Sequence, residues 1–234
     1  MRLAAVDVGL RRDIRAWRAQ DPAASGAPPE AVSVQAGYVQ RAVVVLSNRP
    51  HLATATIRRL PSRLASATGN LTAALRDLGR LSAGWPAHEV RIGAPDPLGE
   101  LLGYYRAAQR RYGVRWQALA AVNLVESAFG RLRSDSAAGA RGPMQFMPAT
   151  WRAYGLGGDI HDPHDAILAA ANLLRHAGAP SDYARALYAY NPSPLYVDAV
   201  RRYARLIARD RDALYLLYSW RPFAAGNRLR SPHP

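Results

Sequence analysis

The sequence contains no cysteine and no lysine among its 234 residues. The absence of cysteine excludes disulfides, thiol nucleophiles and metal sites that are built on thiolate ligands. The absence of lysine excludes Schiff-base chemistry and the lysine of a phosphate-binding P-loop. Any catalytic chemistry in this chain must therefore use carboxylate, histidine or hydroxyl groups.

Long apolar runs are also missing. A helix that crosses a bilayer needs roughly 18 to 20 apolar residues, and the best runs, near Val43 and Leu119, are far shorter. The apolar stretch at the N-terminus is broken by Asp7 and by the charged residues 11–13, which is not typical of a signal peptide. The sequence therefore predicts no transmembrane segment and shows no clear signal peptide.

Acidic residues are scarce: the sequence has 17 aspartates and glutamates and 31 basic residues. All of the basic residues are arginine, and the net charge is +14. A charge of this size favours an anionic partner such as nucleic acid, a membrane surface or an anionic cell-wall polymer. A nucleic-acid-binding protein would interleave aromatic residues with its arginines on a recognised scaffold. No such motif is found, so we predict no nucleic-acid partner.

The pattern of apolar residues predicts an all-α protein. Residues 1–30 end in a stretch rich in proline, alanine, glycine and serine and are interpreted as a mobile leader. Apolar residues at spacings of three and four predict two or three helices in an extension, residues 31–92, and further helices in a second domain, residues 93–212. Period-two alternation is limited to the start of a C-terminal tail, residues 213–234, where a small hairpin is the most that we expect.

Helix boundaries in the second domain are clearly marked. Three prolines between residues 85 and 97 favour a domain boundary there. Gly113 is expected to end the helix that begins near Leu98. Asp162, Pro163 and Asp165 are typical of an N-cap, a first-turn proline and a first-turn acid at the start of another helix.

One carboxylate lies where a structural residue would not be expected. Glu126 falls near the end of the predicted helix 116–129. Helical spacing places it on the face that carries Leu119, Val122 and Phe129, where an ionised glutamate would be costly. Two interpretations stay open: a residue at the helix end that caps a neighbouring loop, or a general acid kept protonated by partial burial, as glycosidases require.

Three separated blocks carry a resemblance to a known family. They are the pair Glu126-Ser127, the loop Gly139 to Gln145 with the sequence GARGPMQ, and the pair Tyr190-Asn191. In this order they closely resemble the motifs of lytic transglycosylases, which cleave the glycan strands of peptidoglycan with a lysozyme-like α-helical domain. The resemblance covers roughly residues 97–209 and implies that residues 93–212 form such a domain.

The resemblance also implies site residues. Glu126 would be the catalytic acid/base. Six further residues would bind the substrate: Ser127, Ser136, Met144, Gln145, Tyr190 and Asn191. Ser127 and Ser136 would line glycan subsites, and Met144 and Gln145 would lie against the sugar. Tyr190 would hold Glu126 by a hydrogen bond, and Asn191 would contact the glycan. Taken singly, each has a structural alternative as a core, loop or capping residue.

The sequence shows no obvious second carboxylate. Glycosidases ordinarily need a pair, about 5 to 5.5 Å apart in retaining enzymes and about 6.5 to 9.5 Å apart in inverting ones. Asp135 is nearest in sequence, but its Ser/Ala/Gly-rich loop predicts a turn. In the family that this chain resembles, the N-acetyl group of the muramic acid (MurNAc) assists and its C6 hydroxyl attacks C1. The resemblance therefore implies cleavage of the MurNAc-GlcNAc β-1,4 bond with 1,6-anhydromuramyl ends.

Two alternatives to this activity stay open. A lysozyme-type hydrolase could use the same scaffold if a second catalytic group had been overlooked, with Asp135 as the first candidate. A non-catalytic module that binds cell-wall glycan is the other alternative, and the presence of Glu126 argues against it.

The residues after Tyr190-Asn191 depart from the commonest family pattern. Many members continue with Ala-Gly, whereas this chain continues with PSPLYV and is more similar to the membrane-bound lytic transglycosylase B branch and its actinobacterial relatives. That branch can carry an acidic calcium loop. Calcium takes about six to eight oxygen ligands, which Asp159, Asp162 and Asp165 cannot supply, so we predict no metal and no cofactor.

The implied substrate also sets the expected partners and location. Peptidoglycan glycan strands are the expected partner, and the protein is expected to act outside the cytoplasm, in the cell wall or as a secreted protein. The predicted helix with Arg201, Arg202, Arg205 and Arg209 is either a solvated face or a contact for anionic cell-wall polymers.

Overall fold

The computed structural model describes residues 2–20, 27–82 and 90–222, and within these ranges the chain forms eleven helices and two isolated β-bridges. The all-α fold class that the sequence predicts is thereby confirmed. The helices are α1 (Arg2–Ala19), α2 (Glu30–Ser47), α3 (Pro50–Ile57), α4 (Ser62–Leu81), α5 (Leu98–Tyr112), α6 (Trp116–Ser127), α7 (Pro148–Tyr154), α8 (Pro163–His176), α9 (Tyr183–Tyr190), α10 (Pro194–Arg209) and α11 (Ala213–Tyr218). In the described residues, no helix has the length and hydropathy that a membrane crossing requires.

The predicted helix boundaries in the second domain are confirmed. α5 ends at Tyr112 because Gly113 adopts a left-handed conformation with φ 71°. α8 begins as expected, with Pro163 in its first turn and the Asp162 side chain accepting a hydrogen bond from the Asp165 amide at 3.0 Å. The Asp162 bond satisfies an amide that the helix itself leaves without a partner.

The prediction of a mobile leader over residues 1–30 is wrong for residues 2–19, which form α1. Leu10, Ile14 and Trp17 are buried on one face of this helix, and α1 packs against α2. The Trp17 ring meets Tyr215 edge-on at 4.9 Å. The stripe of apolar residues thus anchors α1 to the rest of the protein. Residues 21–26, which contain part of the predicted leader, lie outside the described residues.

The expected hairpin at the start of the tail is also wrong, because this segment forms α11. Ala213, Leu214, Leu217 and Tyr218 are buried on more than one side of the helix, so its sequence is apolar throughout, and the short alternation in it does not indicate a strand. The Tyr218 hydroxyl donates to the Asp96 carbonyl at 3.0 Å. α11 is therefore part of the core, while residues 223–234 of the predicted tail lie outside the described residues.

α10 is the helix to which both parts of the chain attach. It packs against α4 of the extension and against α6, α9 and α11. Its buried face carries Tyr196, Val200, Tyr203 and Ile207, at the spacing of an amphipathic helix. Because α4 and α6 share this neighbour, the extension forms part of the same hydrophobic core as residues 93–212.

A cluster of ion pairs fixes α1 and α4 at the C-terminal end of α10. The Arg11 guanidinium lies 2.8 Å from a carboxylate oxygen of Asp210 and 3.7 Å from one of Asp212. Arg63 of α4 and Arg18 of α1 add contacts to the same two aspartates at 3.0 and 2.8 Å. Burial acts to raise the pKa of Asp210, but the hydrogen bonds from Arg11 and the Asp212 amide, together with the charges of Arg11 and Arg63, outweigh it and leave this pKa lowered.

An extended segment before α5 pairs with the chain that follows α6. The Gly93 amide donates to the Arg131 carbonyl and the Arg133 amide to the Arg91 carbonyl, both at 2.9 Å. The predicted boundary falls in this region: its residues 85–89 lie outside the described residues, and the rest of it is paired with the second domain. This pairing supports the turn directly after Glu126.

The packing of α1 gives a test of the corrected N-terminus. We expect Ile14→Ala to lower the free energy of unfolding by about 2 to 4 kcal/mol, because it leaves a cavity in a buried interface. Val8→Ala on the same helix is the matched control, since Val8 is 69% exposed and its loss should cost less than about 0.5 kcal/mol. Urea unfolding of both variants checks this, and equal effects would contradict the packing of α1.

Candidate active site

Glu126 lies in the last turn of α6 and is 1% exposed. The Tyr196 hydroxyl donates a hydrogen bond to Glu126 Oε1 at 2.5 Å. The structure therefore buries this carboxyl group and gives it a specific hydrogen-bond donor from another helix.

Tyr196 comes from the first turn of α10 and is fully buried. Burial, the negative charge of Glu126 and the hydrogen bond to it raise the pKa of Tyr196 well above its ordinary value. The phenol therefore keeps its proton at any physiological pH and acts as a fixed donor. Sequence reasoning missed this residue; its signal was a tyrosine on the buried face of α10, because a buried phenol needs a hydrogen-bond partner.

Tyr190 does not make the contact that the sequence predicts for it. Its hydroxyl donates to the Met144 carbonyl at 2.7 Å, so its single proton is used there. Its ring stacks nearly parallel to Tyr196, with centroids 6.4 Å apart, and burial followed by the charge of Glu126 raises its pKa well above normal. Tyr190 is thus a neighbour of Glu126, but Tyr196 is the tyrosine that holds it.

Three consecutive left-handed residues end α6 immediately after the site. Ala128, Phe129 and Gly130 have φ of 51°, 63° and 78°. The Gly130 amide donates to Ser127 Oγ at 2.9 Å, and the Phe129 carbonyl accepts from the Asp96 amide at 3.0 Å. Left-handed conformations are costly for residues with a Cβ, so these contacts are what keep the sharp turn in place beneath Glu126.

Two side chains of α6 fasten the GARGPMQ loop to the helix. Asn123 Nδ2 and Ser127 Oγ both donate to the Pro143 carbonyl, at 2.8 and 2.6 Å. Asn123 Oδ1 accepts from the Tyr105 hydroxyl at 2.6 Å. Ser127 is 2% exposed and its hydroxyl proton is committed to this contact, so its environment differs from that of the substrate-lining residue that the sequence predicts.

Gly142 is the position in this loop where only glycine fits. Its φ is 71°, and a Cβ added there would overlap the Ile160 carbonyl oxygen. The loop closes through hydrogen bonds between the backbones of Arg141 and Phe146, both 2.9 Å. The close backbone approach at Gly142 thus fixes the path of residues 143–145, which pass beside α6.

Ser136 lies at the start of the same loop and closes a tight turn. Its Oγ accepts from the Ala140 amide at 2.9 Å, and its own amide donates to the Ala140 carbonyl at 2.9 Å. Ser136 is 7% exposed. Its contacts are those of a loop residue, which was the structural alternative for this position.

The remaining predicted residues are brought together near Tyr190. Met144 is fully buried, Gln145 is 2% exposed and Asn191 is 5% exposed. Gln145 has φ 48°, and its Nε2 donates to the Gly142 carbonyl at 2.9 Å. Its Oε1 is buried and accepts no hydrogen bond from the residues that the structure describes. Gln145 therefore offers an acceptor that the folded chain itself does not use.

Asp135, the candidate second carboxylate, is about half exposed and lies 3.5 Å from the Arg141 guanidinium. It lines a cavity of about 210 Å³ together with Gly142, Pro143 and His161. Among the described residues, Glu126 is the carboxylate that acts on the pKa of Tyr190 and of Tyr196. Asp135 therefore lies on the loop surface, and its charge is not among those that raise the pKa of either tyrosine.

Asp162, His164 and Asp165 form the one group in the described residues whose potential metal-binding atoms lie within 4.8 Å of one another. The Asp165 carboxylate accepts from the Asp159 amide at 3.0 Å and contacts His164 Nδ1 at 3.1 Å. These bonds, with the N-cap contact of Asp162, explain the cluster as a helix start, and three ligands fall short of the six to eight that calcium takes.

Comparison with known proteins supports the resemblance of the three motif blocks. Residues 103–209 match the family model described as Transglycosylase SLT domain. A search of curated proteins and a search of solved structures found no match. The matched segment contains Glu126, Tyr190 and Tyr196 and runs from α5 to the end of α10. For this segment the match supports the lysozyme-like superfamily of lytic transglycosylases, with peptidoglycan as the substrate of the domain.

Proposed function

We propose that this chain cleaves the MurNAc-GlcNAc β-1,4 bond of peptidoglycan, acts outside the cytoplasm and leaves 1,6-anhydromuramyl ends. The observation that carries the proposal is the buried Glu126 held by Tyr196. Burying a carboxyl group in an apolar helix face is costly, so its retention there, with a dedicated donor, favours a chemical role over a structural one. The family match over residues 103–209 supplies the substrate class.

The reaction needs one acid/base group that acts twice. Glu126 donates its proton to the glycosidic oxygen as the bond to the muramic acid C1 breaks, while the substrate's N-acetyl carbonyl oxygen stabilises C1. The C6 hydroxyl of the same sugar then attacks C1 and returns its proton to Glu126. No water is consumed and the enzyme is regenerated. Because the attacking hydroxyl is tethered to the reacting sugar, the step gains the high effective molarity of intramolecular reactions.

Tyr196 contributes at the point where Glu126 becomes charged. A hydrogen bond to an ionised acceptor is stronger than one to a neutral acceptor. The Tyr196 hydroxyl therefore stabilises the carboxylate that forms when the proton leaves, and it restricts the rotation of the carboxyl group. We assign Tyr196 the positioning role that the family resemblance suggested for Tyr190.

The other predicted residues divide into two groups in this proposal. Ser127 and Ser136 shape the loop that passes beside Glu126, through their bonds to Pro143 and Ala140. Met144, Gln145 and Asn191, which are buried, are proposed to support the wall of the sugar subsite together with the half-buried Tyr190. Within this wall Gln145 Oε1 is the atom suited to accept a hydrogen bond from a sugar hydroxyl or an acetamido N–H, because it has no acceptor role in the described fold.

The first test is Glu126→Gln, measured as release of soluble fragments from purified peptidoglycan. The amide is nearly isosteric but cannot donate the proton, so we expect activity to fall at least about a hundredfold. Glu100→Gln, at an exposed carboxylate on α5, is the control and should keep full activity. Near-normal release by the Glu126 variant, with an unchanged circular dichroism spectrum, would remove Glu126 from the mechanism.

The second test compares Tyr196→Phe with Tyr190→Phe. Loss of a hydrogen bond to a charged group costs roughly 1.5 to 3 kcal/mol, which corresponds to a tenfold to hundredfold lower kcat for the Tyr196 variant with KM within about twofold of wild type. Tyr190→Phe removes only a bond to a backbone carbonyl, so its kcat should fall less.

Steady-state kinetics on a soluble glycan fragment and thermal unfolding of both variants make the comparison. If Tyr190→Phe proved the more damaging to kcat at equal stability, the assignment of Tyr196 as the residue that positions Glu126 would be wrong.

A further inference from the structure

Three adjoining cavities on the surface around the C-terminal half of α10 are lined by arginine. Their volumes are about 330, 260 and 180 Å³. Eight arginines line them, against a single carboxylate, Asp210. We call this surface the arginine trough.

Neighbouring cavities share lining residues. Gln117 and Ala208 line both the largest cavity and the middle one, and Arg205 lines both the middle cavity and the smallest. The walls come from α1, α4, α5, α6, α9 and α10 and from the chain after α10. The smallest cavity lies where α4 of the extension packs against α10, so the extension contributes one end of this surface.

Most of the positive charge in the trough is not balanced by the protein. Six of its arginines have no carboxylate within 4.0 Å among the described residues: Arg106, Arg115, Arg201, Arg205, Arg209 and Arg211. All six are exposed. The other two, Arg18 and Arg63, are held by Asp212 and Asp210. Six exposed guanidinium groups in one depression create a positive potential that attracts anions.

The arrangement suits a long, repeating anion better than a single small one. Arg201, Arg205 and Arg209 lie four residues apart along α10, so successive side chains are about 6 Å apart along the helix axis. Guanidinium groups bind phosphate and carboxylate oxygens in the same two-pronged way. This row of evenly spaced arginines lines the middle and smallest cavities, and Arg106 and Arg211 line the largest. Such an arrangement favours a flexible polymer with an anionic group in each repeat.

Two of the three aromatic residues that line the trough, Tyr183 and Tyr215, are poorly placed for stacking on nucleic-acid bases; the third is the half-buried Trp116. The Arg115 guanidinium lies over the Tyr183 ring at 5.8 Å, and Arg18 lies over the Tyr215 ring at 5.7 Å. Trp17 also packs edge-on against Tyr215. Single-stranded nucleic acid is bound through base stacking as well as through phosphates. Two covered rings beside six exposed arginines favour recognition of backbone charge over base stacking.

We propose that the arginine trough binds an anionic polymer of the cell wall, with phosphodiester or carboxylate groups in its repeat, and that this holds the enzyme beside its glycan substrate. The location of the polymer rests on the proposed function. α6 runs from Gln117 in the trough to Glu126, nine residues or about 14 Å along the helix. A polymer in the trough therefore lies close to the catalytic carboxyl group without occupying its site.

The test measures binding of the full chain to immobilised poly(glycerol phosphate) and to a polyuronate, over a range of salt concentrations. We expect at least one polymer to bind, with affinity that falls steeply as salt rises because counterions are released. The polymer that binds identifies the anionic group. The combined variant Arg201→Gln/Arg205→Gln/Arg209→Gln should bind at least roughly tenfold more weakly at low salt.

The matched control is Arg49→Gln/Arg58→Gln/Arg59→Gln, which removes the same charge from exposed arginines outside the trough and should change the affinity less than about threefold. Both variants should cleave polymer-free glycan at the wild-type rate, and Glu126→Gln should bind the polymer normally. Glycan cleavage tests the proposed function and polymer binding tests the trough, so either one can fail while the other holds. Equal weakening by both triple variants, no binding to either polymer, or tighter binding to a single-stranded oligonucleotide of equal charge would overturn the proposal.

Discussion

The hydrogen bond from Tyr196 to Glu126 is the contact on which the arrangement of this protein depends. A carboxyl group with 1% exposure is tolerated on an apolar helix only if another element supplies a partner. That partner comes from α10, which meets α6 near Glu126 and packs against α4 of the extension. The position of one phenol hydroxyl is therefore fixed by the packing of helices from both parts of the chain.

The turn after Glu126 depends on a second set of contacts. Three left-handed residues follow the helix, and they are held by Asp96, by Ser127 and by the tail helix α11 through Tyr218. The segment before α5 and the helix α11, which lie far from Glu126 in the sequence, thus support the turn beside it. The same packing brings α1 and α4 to the end of α10, where the ion pairs of Asp210 fix them and where the arginine trough lies.

The sequence predicts those features that depend on local chemistry. Gly113 and Asp162 mark helix ends because a left-handed glycine and a capping carboxylate satisfy backbone groups only a few residues away. Glu126 was recognisable because its own helix places it among apolar residues. The family blocks added the substrate class.

Local spacing could not decide between Tyr190 and Tyr196. The two rings stack 6.4 Å apart, and both lie near Glu126. Which hydroxyl reaches the carboxylate depends on how α10 crosses α6, a contact between residues 70 positions apart. α1 was missed because the stretch rich in proline, alanine, glycine and serine that ends residues 1–30 is not typical of the whole segment. In the fold, Arg11 is turned toward Asp210 and the apolar residues of α1 share one face.

The most direct measurement is digestion of purified peptidoglycan in ¹⁸O-labelled water, followed by mass spectrometry of the muramyl products. An intramolecular attack by the C6 hydroxyl uses no water, so the account predicts products that are lighter than hydrolytic ones by one water and that carry no ¹⁸O. Muramyl ends that are reducing and contain ¹⁸O would contradict it. That result would mean that a second group activates water, with Asp135 the first residue to replace, and that the chain is a lysozyme-type hydrolase.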